Sequence, residues 1–474
     1  MLKFLVRNLY LKPTNKYHYE RYLKKNSNTT PVRLDHEPKI SIIVPIYNTP
    51  PVFFHEMIKS VLSQKYLNWE LLLIDDASPD ESIRSLIKSY AEKDKRIKYK
   101  FLKNNLHISG ATNEGIKIAT GEFISLFDHD DILYPDTLLE VVKAISGGDY
   151  DFIYTDEDKI TENKHNRYDP YLKPQWSQDF IYSVNPVTHF ATIRKSVLDT
   201  CGYEDGKYNG AQDWELFLRI ARNIPENKIH HIPKILYSWR VHSESTAKTV
   251  ESKPYVVEAQ KKAIVNDLSV RRYKNFDLKR DKKYPGQWHL SFFAKDNPKV
   301  SIIITNDVKG AESEIRAKTS YEDYECITSD GDSFMELDKK VHGKHIVFID
   351  REIKIRNSDW IQELLGDSER KEIGFILTGL GARKRIYKLL VDLLGEERAT
   401  LIKKLKWRGV SGHYYRTTRY NIPKFREGIC MVEWAKLRKS IHAKDQPADF
   451  AIWSSNLSSE GYRNLYTPYV KMIK

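Results

Sequence analysis

The sequence predicts an α/β chain of two units, each built on a mainly parallel sheet with helices on both faces. Three observations carry that expectation. The chain has 474 residues, too many for one ordinary core. From Ile40 onward, continuous β-branched runs alternate with stretches of helical spacing. From Lys299 the theme restarts, where KVSIIITN answers the earlier ISIIVPIYN.

Before the first strand, MLKFLVRNLYLKPTNKYHYERYLKKN is strongly basic, with Leu2, Leu5, Val6 and Leu9 at near-helical spacing. Two readings fit it: an amphipathic helix lying on a membrane, or a surface helix docked on its own domain, cut short at Pro13. ISIIVPI then reads as a strand buried on both faces. VFFHEMIKSVLSQ follows, with Phe54, Ile58, Val61 and Leu62 on one helical face. WELLLIDD is a second buried strand, ending in two acids. SPDESIRSLIKSYAEK opens with Ser78, Pro79 and Glu81, a capping-box pattern with proline at the first helical position. IKYKFL, a helix near Asn113 to Ile118 and the strand EFISLF complete the alternation. In such sheets ligands bind beyond the carboxyl ends of the strands, where Asp75–Asp76 and Asp128–Asp130 fall. Residues 151 to about 270 complete this first domain, and 271–298 reads as a charged, strand-poor link.

An internal repeat extends the restart at Lys299. YLNWELLLIDD pairs with YEDYECITSDG, matching Asp75 with Asp330 but Asp76 with Gly331. GEFISLFDHDD pairs with GKHIVFIDRE, matching Asp128 and Asp130 with Asp350 and Glu352. Between these landmarks the first copy spends 44 residues (Ala77 to Thr120) and the second eleven (Asp332 to His342). A helix–strand–helix portion is therefore expected to be missing from the second copy.

Composition narrows the function. Two-fifths apolar residues and 29 tyrosines supply packed cores and argue against disorder. The net charge of +13 is spread along the chain, and no RRM, KH or zinc-finger signature appears, so nucleic acid is not the expected partner. An anionic membrane surface or phosphorylated substrates fit that charge equally well. The three cysteines form no CxxC pair, which argues against disulfides and zinc sites and favours a cytosolic setting. No window approaches twenty apolar residues, and no signal-peptide core is evident.

Four stretches carry chemistry. Asp75 and Asp76 at a strand tip could accept a base or ribose hydrogen bond, or could cap the next turn with Ser78. In FDHDD, two carboxylates one residue apart after a buried strand can grip one hard cation, Mg²⁺ or Mn²⁺, and the ribose beside it. The alternative is a solvated acidic turn. In GAQDWELFLRI, Asp213 and Glu215 open a helix, as dipole partners or with Asp213 as a general base. In LYSWRVHSESTA, Arg240 and His242 could reach a diphosphate or its metal.

Together and in this order, ISIIVPIYN, LLLIDDAS, NEGIKIATGEFISLFDHDD, YTDEDKI, GAQDWEL and YSWRVHSESTA resemble the bacterial family 2 glycosyltransferases of GT-A fold. The likeness runs from about Ile40 to Ala247. It looks closest to the branch that builds O-antigens, capsules and rhamnose-containing polysaccharides, in which YTDEDKI leads to a KPxWS segment, here Lys173 to Ser177. The resemblance implies that Asp75 and Asp76 hold base and ribose, and that Asp128 sits near the ribose. Asp130 ligates the metal, His242 completes the metal or diphosphate site, and Asp213 is the catalytic base. It places Pro45, Tyr47, Asn48, Asn113, His129 and Arg240 on the nucleotide-sugar side, and Asp156, Glu157, Trp214 and Glu215 on the acceptor side. It further implies Mn²⁺ or Mg²⁺, a UDP- or dTDP-sugar donor and a polyprenyl-diphosphate-linked acceptor. The setting would be the inner face of the cytoplasmic membrane, with a homodimer as a further expectation.

The expected organisation is a basic segment (1–38), a catalytic GT-A domain (39–270), a linker (271–298) and a smaller degenerate GT-A-like domain (299–474). In the last, Arg351 between Asp350 and Glu352 opposes a cation, and Asp449 aligns with Asp213. A scaffold, dimerisation or acceptor-docking role is expected there. The rival readings are a second active transferase, a non-catalytic carbohydrate-binding scaffold, and a nucleotidyltransferase. The last usually needs a glycine-rich phosphate loop, and GxxxxGK[ST] is absent.

Overall fold

The computed structural model describes residues 13–26, 34–163, 166–242, 254–281, 286–305, 310–349, 354–378, 383–405, 411, 414–415, 417–423, 428–441 and 449–470. The Leu2–Leu9 stripe and Asp350, Arg351 and Glu352 lie outside them. Two compact units form, one from described residues within 1–176, 185–271 and 404–412, the other from 177–184, 272–403 and 413–474.

In chain order the elements of the first stretch are α1 (Pro13–Asn26), β1 (Ile40–Ile46), α2 (Pro51–Leu62), β2 (Trp69–Asp75), α3 (Glu81–Lys93), β3 (Ile97–Phe101), α4 (His107–Ile118), β4 (Phe123–Leu126) and β5 (Ile132–Leu133). There follow α5 (Thr137–Gly147), β6 (Phe152–Thr161), β7 (Arg167–Tyr171), α6 (Gln178–Ile181, in the second unit), β8 (Thr192–Arg194), α7 (Lys195–Cys201), α8 (Gln212–Asn223), β9 (Ile229–Val241) and α9 (Pro254–Val270). The nine-stranded sheet has the order β3-β2-β1-β4-β8-β6-β9-β5, with β7 on β6. Pairings β3·β2, β2·β1, β1·β4 and β6·β9 are parallel. This is the expected α/β class.

Local chemistry explains the elements and two departures from expectation. Every residue of β2 is buried, as its unbroken apolar run requires. Pro13 opens α1, where proline's missing N–H costs nothing in a first turn. Tyr19 and Tyr22 of α1 are buried, and the Tyr19 hydroxyl donates to Asp158, so this helix docks on its own unit. The cap of α3 is Asp80, which accepts from the Ser82 N–H at 2.8 Å, and not Ser78. Ser78 is drawn away to accept from the Asn48 N–H at 3.1 Å.

The second departure concerns the expected strand-poor link, which contains an antiparallel hairpin of β10 (Phe276–Arg280) and β11 (Trp288–Phe292). Its alternation buries Leu278, Trp288, Leu290 and Phe292 on one face. The second unit continues with β12 (Val300–Thr305), α10 (Ala311–Lys318), β13 (Tyr324–Ser329), α11 (Phe334–Lys340), β14 (His345–Ile349), α12 (Trp360–Ser368), β15 (Ile373–Thr378), α13 (Arg383–Leu394) and α14 (Glu396–Lys404). It closes with β16 (Tyr420–Ile422), β17 (Ile429–Glu433), α15 (Trp434–Ser440), α16 (Phe450–Ser459) and β18 (Arg463–Tyr466).

Its seven strands run β13-β12-β14-β17-β15-β18-β16. Without β3, the first sheet runs β2-β1-β4-β8-β6-β9-β5. Step by step the two share one sequence of senses: parallel, parallel, antiparallel, antiparallel, parallel, antiparallel. Only α11 stands where the first unit has α3, β3 and α4.

The amino ends of the two sheets also share a polar clamp. Ser41 Oγ donates to Glu70 (2.7 Å) and accepts from Gly121 N–H (2.9 Å); Ser301 Oγ does the same with Glu325 (2.5 Å) and Gly343 (2.8 Å). Lys39 pairs with Glu70 and Lys299 with Glu325. Tyr66 donates to the Pro38 carbonyl and Tyr321 to that of Pro298. A Cβ on Gly121 would lie 2.7 Å from the Ser41 nitrogen, and one on Gly343 2.4 Å from that of Ser301, so only glycine fits either place.

Candidate active site

The carboxyl ends of β1, β2 and β4 gather the acids singled out by sequence, and the loops that carry them are held under backbone strain. Asn48, Ala77 and His107, which follow β1, follow β2 and open α4, all have positive φ without being glycine. Asp75 is fully buried against Arg84 (2.7 Å) and accepts the Ser78 N–H (3.3 Å). Asp76 accepts the Leu106 N–H at 2.6 Å, and burial raises its pKa. The acid pair thus joins the loop after β2 to α3 and to the loop before α4. Pro45 is half-buried in β1, and Tyr47 is exposed beyond it. Asn113 holds both backbone groups of Glu204, donating to the carbonyl (2.8 Å) and accepting from the N–H (3.0 Å).

Beyond β4 the FDHDD acids separate into different environments. Asp130 faces His242, carboxylate to Nε2, at 2.9 Å, and both are partly accessible. Burial raises the Asp130 pKa, but His129 and His242 beside it outweigh that and hold it below the usual value. The His129 Nδ1 is buried with no partner. Asp131 is fully buried and accepts from the Tyr237 hydroxyl and from the Arg240 N–H (2.6 Å); burial and the charge of Asp130 push its pKa far up. Asp128, with Asp131 and His189, forms a group whose ligand atoms lie within 4.8 Å of one another.

Arg240, read in sequence as able to reach a diphosphate, is held within the unit. Its guanidinium is buried and bonded to the carbonyls of Asp130 (2.6 Å) and Glu162 (2.7 Å) and to Glu56 (2.6 Å), over the Phe53 ring. It supports the loop that presents Asp130. The four residues read as acceptor-side are likewise engaged. Asp156 is fully buried against His231 (2.8 Å) and the Lys173 N–H (2.7 Å). Trp214 is packed in the core, and Glu215 pairs with Arg219 at 2.7 Å. Glu157 binds buried Lys173 (2.8 Å), Thr188 Oγ1 (2.6 Å) and His189 Nδ1 (3.2 Å); burial opposes its charge, but Lys173 and His189 hold its pKa well below the carboxylate range.

Asp213, in the first turn of α8, is only partly buried and accepts from Asn185 Nδ2 at 2.9 Å. Burial raises its pKa to about 6; the Trp214 N–H and His189 work against this, and the charge of Asp128 adds to it. A carboxyl near pH 6 at the mouth of a sheet is suited to taking a proton at neutral pH.

Sequence reading missed His189, Asn185, Asp131 and Glu204. His189 stacks on Tyr237 (centroids 4.9 Å apart, 7° between planes), and its Nε2 lies 3.8 Å from Asp128. Burial lowers its pKa, but Glu157, Asp128 and Asp131 outweigh that and raise it to about 9. Glu204 is buried with one carboxylate oxygen unpartnered, and burial plus the charges of Asp213 and Asp128 push its pKa far up. Asp131 was visible within FDHDD, whereas NPVTHF carries no sequence signal that sets its histidine apart.

Residues 41–202 match the family model described as glycosyl transferase family 2. The chain is 32% identical over 383 residues to an uncharacterised protein of Sinorhizobium fredii, covering 73% of this chain and 42% of that one. It is 27% identical over 381 residues to the O-antigen biosynthesis protein RfbC of Myxococcus xanthus, covering 73% and 29% respectively. The chain thus spans less than half the length of these curated relatives. Among solved structures, the mannosyltransferase PcManGT of Pyrobaculum calidifontis, in complex with GDP-Man and Mn²⁺, is similar at a TM-score of 0.39 and 19% identity, covering 53% of this chain and 72% of that one. Residues 41–202 of this chain belong to glycosyl transferase family 2.

Proposed function

We propose that the first unit is an inverting, divalent-metal-dependent glycosyltransferase of GT-A fold. It would move one sugar from a nucleoside diphosphate to a hydroxyl of a lipid-linked glycan in bacterial surface polysaccharide synthesis. The observation that carries the reading is Asp213, a partly accessible carboxyl raised to about 6, within electrostatic reach of Asp128 at the carboxyl end of the sheet. The family match over residues 41–202 supports the reaction class, and RfbC's printed role supports the pathway class.

The facing carboxylate and imidazole of Asp130 and His242 suit a hard or borderline cation such as Mn²⁺ or Mg²⁺. Bound there, it would offset the charge that grows on the leaving diphosphate. Asp131 fits that task less well, because its oxygens already accept from Tyr237 and Arg240. Asp213 takes the proton of the acceptor hydroxyl, whose oxygen bonds to the anomeric carbon as the bond to the diphosphate oxygen breaks on the opposite face. The proton ends on Asp213, the electron pair on the nucleoside diphosphate, and configuration inverts.

Residues 39–270 are taken as the catalytic domain and 299–474 as a degenerate copy that serves as scaffold, dimer contact or acceptor dock. The shared strand senses and clamp support a common origin. Asp449, which sequence aligned with Asp213, spends its carboxylate capping α16 through the N–H groups of Ala451 (2.8 Å) and Ile452 (3.0 Å). It has the role of a cap there, not that of a base.

The test incubates purified protein and Mn²⁺ with UDP-, dTDP- and GDP-sugars and polyprenyl-diphosphate-linked acceptors, following diphosphate release and product configuration by NMR. Transfer with inversion is expected. Retention of configuration, or no turnover of any donor, contradicts the reading.

A further inference from the structure

The segment Asn185–Phe190 touches three of the site's acids and pays in backbone strain to do so. Thr188 (φ 48°) and Phe190 (φ 54°) both sit in the left-handed region, which a β-branched or bulky residue rarely adopts. Asn185 donates its amide to Asp213 Oδ2 (2.9 Å), while its own Oδ1 accepts from the N–H groups of Val187 (3.1 Å) and Thr188 (3.3 Å). Thr188 Oγ1 donates to Glu157 (2.6 Å). Lys173, fully buried, pins the segment from below through the Val187 carbonyl (2.6 Å), Thr188 Oγ1 (3.0 Å) and Glu157 (2.8 Å). His189 then spans from Glu157 (3.2 Å) to Asp128 (3.8 Å), held flat on Tyr237. Charge alternates along this path: Lys173, Glu157, His189, Asp128.

A strained turn survives when its surroundings over-determine it, and such turns collect at functional sites. Here the surroundings are the proposed base at one end and the donor-side acid at the other. We propose that Asn185–His189 is a positioning clamp for sugar transfer, in which Asn185 orients Asp213 and His189 orients Asp128. Both act here as positioning residues. The inference rests on the transferase reading above.

Two histidine variants separate orientation from mere packing. His189→Asn keeps a donor where Nδ1 meets Glu157 but cannot reach Asp128. His189→Gln places its amide near the Nε2 position and restores that reach. The clamp requires His189→Asn to raise donor KM severalfold, because the ion-pair contact to Asp128 at 3.8 Å is lost, with acceptor KM unchanged and partial recovery in His189→Gln. Asn185→Ala removes a donor to ionised Asp213, so the acid limb of kcat moves to higher pH. The double variant Asn185→Ala/His189→Asn should lose less than the product of the single losses, because each already releases the segment. Calorimetric titration with UDP and Mn²⁺ reads the His189–Asp128 arm independently of any acceptor. Equal donor KM in the two histidine variants, an unmoved acid limb or strictly multiplicative losses overturn the clamp. A wild type that turns over no donor yet binds UDP defeats the transferase reading alone, and the clamp is then judged on UDP affinity. A wild type that turns over no donor and binds none of UDP, dTDP and GDP contradicts both.

Discussion

Asp213, the proposed base, owes its pKa to its surroundings. Its raised pKa, about 6, means that activity is expected to fall as pH drops through 6, because the carboxyl must be ionised to accept a proton. Asp213→Asn should cost roughly 10²–10⁴-fold in kcat with the fold intact, as is usual for losing a general base. A pH–rate profile of wild type alongside Asp213→Asn checks both; an acid limb that persists in the variant would assign it to another group. The pairing of Asp130 with His242 across 112 positions follows from their placement at a strand end and after β9, and their residue types made it legible in sequence. His189, Asn185 and Glu204 were not legible, because their roles come from tertiary neighbours and not from spacing. The partners of Arg240, two carbonyls and Glu56, come from tertiary neighbours in the same way.

At the scale of elements, the clamp at the amino ends of the sheets explains why the repeat keeps a glycine before its third landmark strand. Gly121 and Gly343 let the chain pass against β1 and β12, where a methyl group would strike a backbone nitrogen. Glu70 anchors the first clamp. Burial opposes its charge, yet Lys98, Ser41 and Thr120 hold its pKa down to about 2. A depressed carboxylate contributes stability that is complete above its unfolded value, near 4.5, and is lost as pH falls toward 2. The contribution at neutral pH is on the order of 3 kcal/mol. Glu70→Gln should therefore melt lower at pH 7 and lose less stability than wild type between pH 4.5 and 2. Thermal melts followed by circular dichroism across that range check this, and parallel curves would contradict it. Strand and helix identities were legible because buried runs such as WELLLID admit few alternatives. The β10–β11 hairpin was not, because FDLKR and WHLSF are short and flanked by charge. The cap of α3 was misread because Ser78 had a competing partner in another loop.

For the whole molecule, the sequence landmarks caught the order of the first three repeated strands but not the extent of the likeness. Six successive strand pairings share their senses, and Tyr, Lys, Ser, Glu and Gly recur in one bonded pattern. Those features lie at the amino ends of the strands, where they support the sheet. The carboxyl ends, where ligands bind, have diverged: Asp76 is matched by Gly331, α3–β3–α4 by α11 alone, and Asp213 by a helix cap. Stability and function occupy opposite edges of such a sheet, so one can be retained while the other is lost. The proposed function requires one donor site per chain, in the first unit. Calorimetric titration of the intact chain with nucleoside diphosphate and Mn²⁺ counts those sites directly. One site is expected, abolished by Asp130→Ala and kept when Asp350 and Glu352 are both changed to alanine. Two sites, or binding that survives Asp130→Ala, would contradict the account.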